Sequence, residues 1–199
     1  MKRVPRMAAK AAGDVHWSVV LERVGACRAA LTWARTQPTA PAAWRRCQRA
    51  DWMLWIAGRF CDSKERRKEI ALAACACART ALRYVPKGEK RPVECILTTE
   101  RWARGRATLE EVRGAREAAF AVDAATSAAA KAAAAAVYAS AAAFAVDAAY
   151  TAYTVYAAAD ARAYAASAAA DDGRRAKTLA SMAKIVRAHL TMPSPTGTQ

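Results

Sequence analysis

Residues 117–150 read EAAFAVDAATSAAAKAAAAAVYASAAAFAVDAAY. Alanine gives up no side-chain freedom on entering a helix, so this stretch predicts helix more strongly than any other part of the chain. From Ala115 to Asp172 there is neither glycine nor proline. A single helix over that span would reach about 85 Å, far longer than globular helices run. The octet AAFAVDAA occurs at 118–125 and again at 142–149, a period of 24 residues. In one unbroken helix the two copies would face roughly 120° apart. A break near Ser140 would let Phe120 and Phe144 bury equivalent faces on paired helices, and two helices is the reading preferred here. Tyr138, Tyr150, Tyr153, Tyr156 and Tyr164 add bulk between alanines that let helix axes approach closely.

The rest of the chain agrees with an all-α fold, a multi-helix bundle ending in a long alanine-rich hairpin or array. A first helix is expected from Asp14, a good N-cap, to Thr36 before Gln37-Pro38, burying Trp17, Val20, Leu21, Val24, Cys27 and Leu31. Pro41 suits the first turn of a second helix carrying Trp44, Cys47, Trp52, Leu54, Trp55 and Phe60. Its three tryptophans are the expected hydrophobic anchor. Asp62-Ser-Lys-Glu65 has capping-box spacing and opens a third helix, with Ile70, Ala74, Cys77, Ala78, Ala81, Leu82 and Val85 inward and Pro86 at its end. Pro92 starts a short fourth helix that Gly105 closes. Thr108-Leu-Glu-Glu111 is a second capping box, at the head of the alanine-rich region. Gly173 is placed at that region's C-terminus. The expected organisation is a flexible basic segment at 1–13 and one helical domain over 14–190. That domain comprises Trp/Arg-rich helices at 14–106, alanine-rich helices at 107–172 and a basic helix at 174–190. A disordered tail is expected at 191–199.

The formal charge of +15 is unevenly distributed. Residues 1–116 carry 25 Lys+Arg against 11 Asp+Glu, residues 117–173 are net −4, and the last 26 residues add +5. Such a block suggests an anionic partner, although 23 of the 32 bases are arginine, as compositional bias alone would produce. Arg45, Arg46 and Arg49, followed by Arg66, Arg67 and Lys68, are the candidate nucleic-acid contacts. No helix-turn-helix, zinc-finger or RNA-recognition signature accompanies them, and the tryptophans follow core spacing rather than that of stacking platforms.

Catalytic patterns are missing. The glycines form no phosphate-cradling loop, and His16 and His189 neighbour no nucleophile; His16 reads as a surface residue at a helix start. Asp123 and Asp147, one per repeat copy, read as a solvated stripe. The six cysteines lack both a disulfide framework and zinc spacing. They are expected as buried free thiols in a reducing compartment. No metal, cofactor or enzyme activity is expected. Neither a secretory signal nor a membrane span is evident, so the chain is expected to be soluble and cytoplasmic.

Four motifs occur in order: Cys47-Gln-Arg-Ala-Asp51-Trp52-Met-Leu-Trp55-Ile56, Ala74-Cys-Ala-Cys-Ala-Arg79, Lys90-Arg91-Pro92-Val-Glu94-Cys-Ile96 and Glu100-Arg-Trp102-Ala-Arg-Gly105. With the alanine tract, over roughly residues 40–170, they resemble a family of immunity proteins predicted in bacterial polymorphic toxin systems and also carried by phages. The resemblance implies a non-catalytic inhibitor that binds a partner protein, a toxin effector. It directs attention to Asp51, Trp52, Trp55, Arg79, Arg91, Glu94 and Trp102. An ion pair from Arg79 or Arg91 to Asp51 would tie three helices together. The chain departs from acidic inhibitors of nucleic-acid-binding toxins in being strongly basic.

Overall fold

The computed structural model describes residues 16–122, 127–144, 153–154, 157–158 and 172–193, and these are helical with no strand among them. The elements are α1 (Ser18–Arg23), α2 (Arg28–Arg35), α3 (Ala40–Arg46), α4 (Ala50–Arg59), α5 (Lys64–Arg79), α6 (Arg91–Ala103), α7 (Leu109–Phe120), α8 (Ser127–Ala141) and α9 (Asp172–His189). Short 3₁₀ turns lie at Leu82–Tyr84 and Ala142–Phe144. The chain divides into two compact units, Met1–Ala43 and Trp44–Gln199, so the boundary falls within α3.

In the first unit, the single helix expected over 14–36 is two helices. Gly25 adopts φ +84°, a left-handed conformation that glycine enters without steric cost. Its N–H donates to Glu22 O and that of Ala26 to Leu21 O, closing α1 with the paired bonds of a Schellman motif. The break also spoils the expected continuous face, since Leu21 is buried but Cys27 is exposed. Asp14 lies outside the described residues. His16 is half-buried rather than a surface residue. Its ring lies 2.9 Å from Gln37 O and 2.8 Å from Ser18 Oγ. With Nε2 donating to Gln37 O, Nδ1 is left to accept from Ser18.

The second unit is built on α5 and α6. α6 packs on α5, α7 and α8; α5 also packs on α8 and α9; and α9 packs on α4. Much of this core consists of small side chains. Ala71, Ala73, Ala74, Cys75, Cys77 and Ala78 on α5, and Ala132, Ala135, Ala136 and Ala139 on α8, have no accessible surface. The larger buried side chains are Met53, Leu54, Ile96, Val112, Met182 and Val186. The second expected helix is also two, α3 and α4, separated by Cys47-Gln48-Arg49. On α4 the buried face is Ala50, Met53, Leu54 and Ala57, at steps of three and four. Trp44, Trp52 and Trp55 are half-buried at its edge, so they are not the anchor of the core. Trp102 is buried.

α5 begins where expected, but its cap is Ser63, whose Oγ accepts from Arg66 N, rather than an Asp62–Glu65 box. Thr108 and Glu111 do form a reciprocal capping box. Gly105 at φ +73° ends α6 with the same paired bonds as Gly25, from Gly105 N to Trp102 O and Arg106 N to Arg101 O. The first repeat copy does not behave as expected. α7 ends at Phe120, whose side chain is 80% exposed, while Ala119 beside it is buried. Next to Ser140, at Ala142, α8 gives way to 3₁₀ geometry, and Ser140 Oγ donates to Val137 O; the residues after Phe144, where the break would be decided, lie outside the described residues. Asp123, Asp147, Tyr150, Tyr156 and Tyr164 lie outside the described residues; Tyr138 and Tyr153 meet with ring centroids 5.7 Å apart. Gly173 lies within α9, and the residues it is expected to terminate, 159–171, lie outside the described residues. Thr191 continues beyond α9 in contact with Arg66, whose guanidinium donates to its hydroxyl and carbonyl oxygens.

Candidate functional site

The motif residues singled out in the sequence are distributed over several separate pairings. Asp51, in the first turn of α4, is 1% exposed. A buried carboxylate requires donors, and Arg49 supplies a two-pronged one, Nε to Oδ1 at 2.9 Å and Nη2 to Oδ2 at 2.7 Å. The same guanidinium carbon sits 4.4 Å from the Trp52 ring centroid. Thus Arg49, expected on a nucleic-acid surface, forms a clasp on Asp51. Arg79, expected to reach Asp51, instead forms a bidentate pair with Glu100 at 2.8 and 2.9 Å, joining α5 to α6. Burial would raise the Glu100 carboxyl, but hydrogen bonding and charge from Arg79, with help from Arg104, hold it below its usual range.

Arg91, the other expected partner of Asp51, is clasped by Glu89. Glu89 Oε1 accepts from both Nε and the backbone N–H of Arg91 at 2.9 Å, and Oε2 accepts from Nη2. Hydrogen bonds from the Arg91 side chain, then from its backbone, pull the Glu89 carboxyl down to about 2. The remaining arm, Nη1, donates to Ala121 O at 3.1 Å, just past the end of α7. Antiparallel packing of α6 and α7 therefore brings Arg91 to the turn that displays Phe120. Glu94, one turn along α6, is exposed. Leu109, Phe120 and Tyr153 are the large apolar side chains left exposed among the described residues, and Phe120 is the most exposed of them.

Among the basic candidates, Arg45 and Arg46 are exposed in the last turn of α3. Arg66 is engaged with Glu69 and Thr191. Arg67 and Lys68 are half-buried, and Arg67 Nε has no hydrogen-bond partner. Sequence reasoning missed Arg187 on α9, whose Nη1 donates to Cys47 O at 2.6 Å, with Trp44 O at 3.5 Å. It also missed Glu89 and Phe120. The first was legible as a carboxylate two residues before Arg91; the second had no signal, because a phenylalanine among alanines reads as core.

Cys47, Cys75, Cys77 and Cys95 are buried free thiols, whereas Cys27 is exposed and Cys61 half-exposed, against expectation. Burial raises the thiols of Cys47 and Cys95 to about 11 and that of Cys77 to about 12. Cys75 is driven well above the ordinary value for the same reason. Among the described residues, no group of three His, Cys, Asp or Glu side chains could hold a metal ion, and no helix is long and apolar enough to cross a membrane. Comparison with protein-family models, curated proteins and solved structures gives no match.

Proposed function

We propose that this chain is an immunity-type inhibitor that acts without catalysis, by binding and neutralising a toxin effector protein. The observation that supports this reading is the corner where α6 begins and α7 ends. An 80% exposed phenylalanine, Phe120, stands beside an arginine that Glu89 and Ala121 O hold in a fixed orientation. Exposing an aromatic ring to water has no benefit for folding. Contacts of this kind, an aromatic with a pre-oriented arginine, dominate the energetics of protein interfaces. Arg91 and Glu94 also belong to the motifs through which the sequence resembles immunity proteins. In this reading Phe120 fills an apolar pocket on the effector while the exposed part of Arg91 and Glu94 form the polar rim.

The test is co-expression with the effector encoded by the adjacent gene, followed by titration calorimetry of the purified pair. The chain should restore growth, and Phe120→Ala should weaken binding about 30-fold or more, the loss typical of an interface hot spot. Because Phe120 is exposed, its removal should leave the helical circular dichroism unchanged. An effector that kills equally in the presence of the chain, or a Phe120→Ala protein that protects as well as the parent, would refute the reading.

A further inference from the structure

The two basic blocks of the sequence, far apart along the chain, meet in the fold. Residues 44–69 and 172–191 together hold thirteen Lys and Arg against five Asp and Glu. α9 packs on both α4 and α5, so these segments form one side of the second unit. Cations from both segments come together where the end of α3 meets α9. Arg187 reaches into the last turn of α3 and donates to the carbonyls of Trp44 and Cys47. Arg45 and Arg46 are exposed in that same turn, and Lys184, exposed three residues before Arg187, lies on the same side of α9. The carboxylate nearest in sequence, Asp51, is buried and clasped by Arg49.

We propose that this corner, with Arg45, Arg46, Lys184 and Arg187 at its centre, docks the sugar–phosphate backbone of a nucleic acid duplex. The C-terminal end of a helix carries partial negative charge and would repel phosphate. Here Arg187 covers those carbonyls, leaving the neighbouring cations to set the local field. Exposed apolar anchors, which a protein partner would need, lie elsewhere: Leu109 and Phe120 on α7, and Tyr153. A single strand would need an open aromatic face on which to stack bases, and one face of Trp52 is taken by the Arg49 guanidinium. With Trp44, Trp52 and Trp55 half-buried, the exposed cations Arg45, Arg46 and Lys184 match a regularly charged duplex, read without regard to sequence. This surface is independent of the Phe120 corner.

The test is fluorescence anisotropy of labelled duplex DNA and duplex RNA against the full chain, with a single strand and polyglutamate as competitors. Neutralising three phosphates of a DNA duplex predicts about 40-fold weaker binding at 200 mM than at 50 mM monovalent salt. The double variant Arg45→Gln, Arg46→Gln should reduce the logarithmic salt slope by about 2. A control, Arg83→Gln with Arg106→Gln, removes the same charge from exposed positions outside the two segments and should bind as the parent does. Circular dichroism establishes that each variant keeps its helices. Saturable binding of either duplex, with the slope reduced in the first variant alone, supports the proposal. No binding at 50 mM salt, equal losses in both variants, or displacement by the single strand or polyglutamate as effective as by duplex would overturn it.

Discussion

The clasp between Arg49 and Asp51 makes an asymmetric prediction, because its two members are buried to different extents. Asp51 is 1% exposed, whereas the Arg49 side chain retains 34% of its surface. Replacing Asp51 with alanine removes two charge-assisted hydrogen bonds and a negative charge from the first turn of α4. The arginine left behind can still reach water, so we expect a loss of about 2 kcal/mol, less than the ~3–5 kcal/mol of breaking a fully buried pair. Arg49→Met keeps an unbranched stem near Trp52 but strips the buried carboxylate of its bidentate donor. That change should cost more, about 3–4 kcal/mol, because the group deprived is the one water cannot reach. The double variant should cost less than the sum of the two by about 1 kcal/mol or more, since the residues share one interaction. Urea unfolding followed by tryptophan fluorescence measures all three, with Trp52 in direct contact with the guanidinium reporting on the site. At a slope of about 2 kcal/mol per molar urea, the Arg49→Met midpoint should fall by about 1.5–2 M. Equal losses from the two single variants, or strict additivity in the double, would refute the reasoning from burial.

Three further outcomes are expected. Ala136→Leu on α8 forces three extra carbon atoms into a position with no accessible surface and should destabilise by about 1–3 kcal/mol, visible as a lower thermal midpoint. An aromatic disulfide reagent at pH 8 should modify Cys27 first and Cys61 next, with Cys47, Cys75, Cys77 and Cys95 reacting only on unfolding. Simultaneous release of all six thiols in the native protein would contradict the burial described. The Glu89 carboxyl is pulled to about 2 in the folded chain, below its unfolded value. Its contribution is therefore fully present above about pH 4.5 and is lost as pH falls from there through 2. Carboxyl chemical shifts followed by NMR between pH 6 and 2 should show Glu89 titrating last among the glutamates; titration near its ordinary value would show that the Arg91 clasp does not form in solution.

Helical class was legible because alanine, arginine and leucine agree along the whole chain, and local signals such as the Thr108 box need only neighbours to form. Helix breaks were less legible. Gly25 interrupts an apolar stripe that continues in sequence on both sides, and only its left-handed backbone ends α1. Likewise, Cys47-Gln-Arg49 contains no proline or glycine to announce the gap between α3 and α4. For the site, residue types were found more readily than partners. Asp51, Arg79 and Arg91 all form ion pairs, but each takes the carboxylate or guanidinium that geometry brings nearest: Arg49, Glu100 and Glu89. Which charge meets which across packed helices depends on their relative rotation, a quantity that no motif encodes. Phe120 was misplaced for a similar reason, since the octet repeat describes composition and not the point at which α7 stops.

The small side chains that α5 and α8 bury, Ala71, Ala74, Ala78, Ala132, Ala136 and Ala139, also decide how the protein can be dissected, since the two helices pack on each other. These side chains have no rotamers to freeze, so ordering them costs backbone entropy alone. Each also contributes little buried area, and stability depends on many near-equal contributions rather than on a few large residues. An alanine scan, the ordinary route to a map of important positions, is blind here because the wild-type residue is the probe. Glycine substitution, which tests the helix, and serine substitution, which tests dryness, would map this half of the core instead.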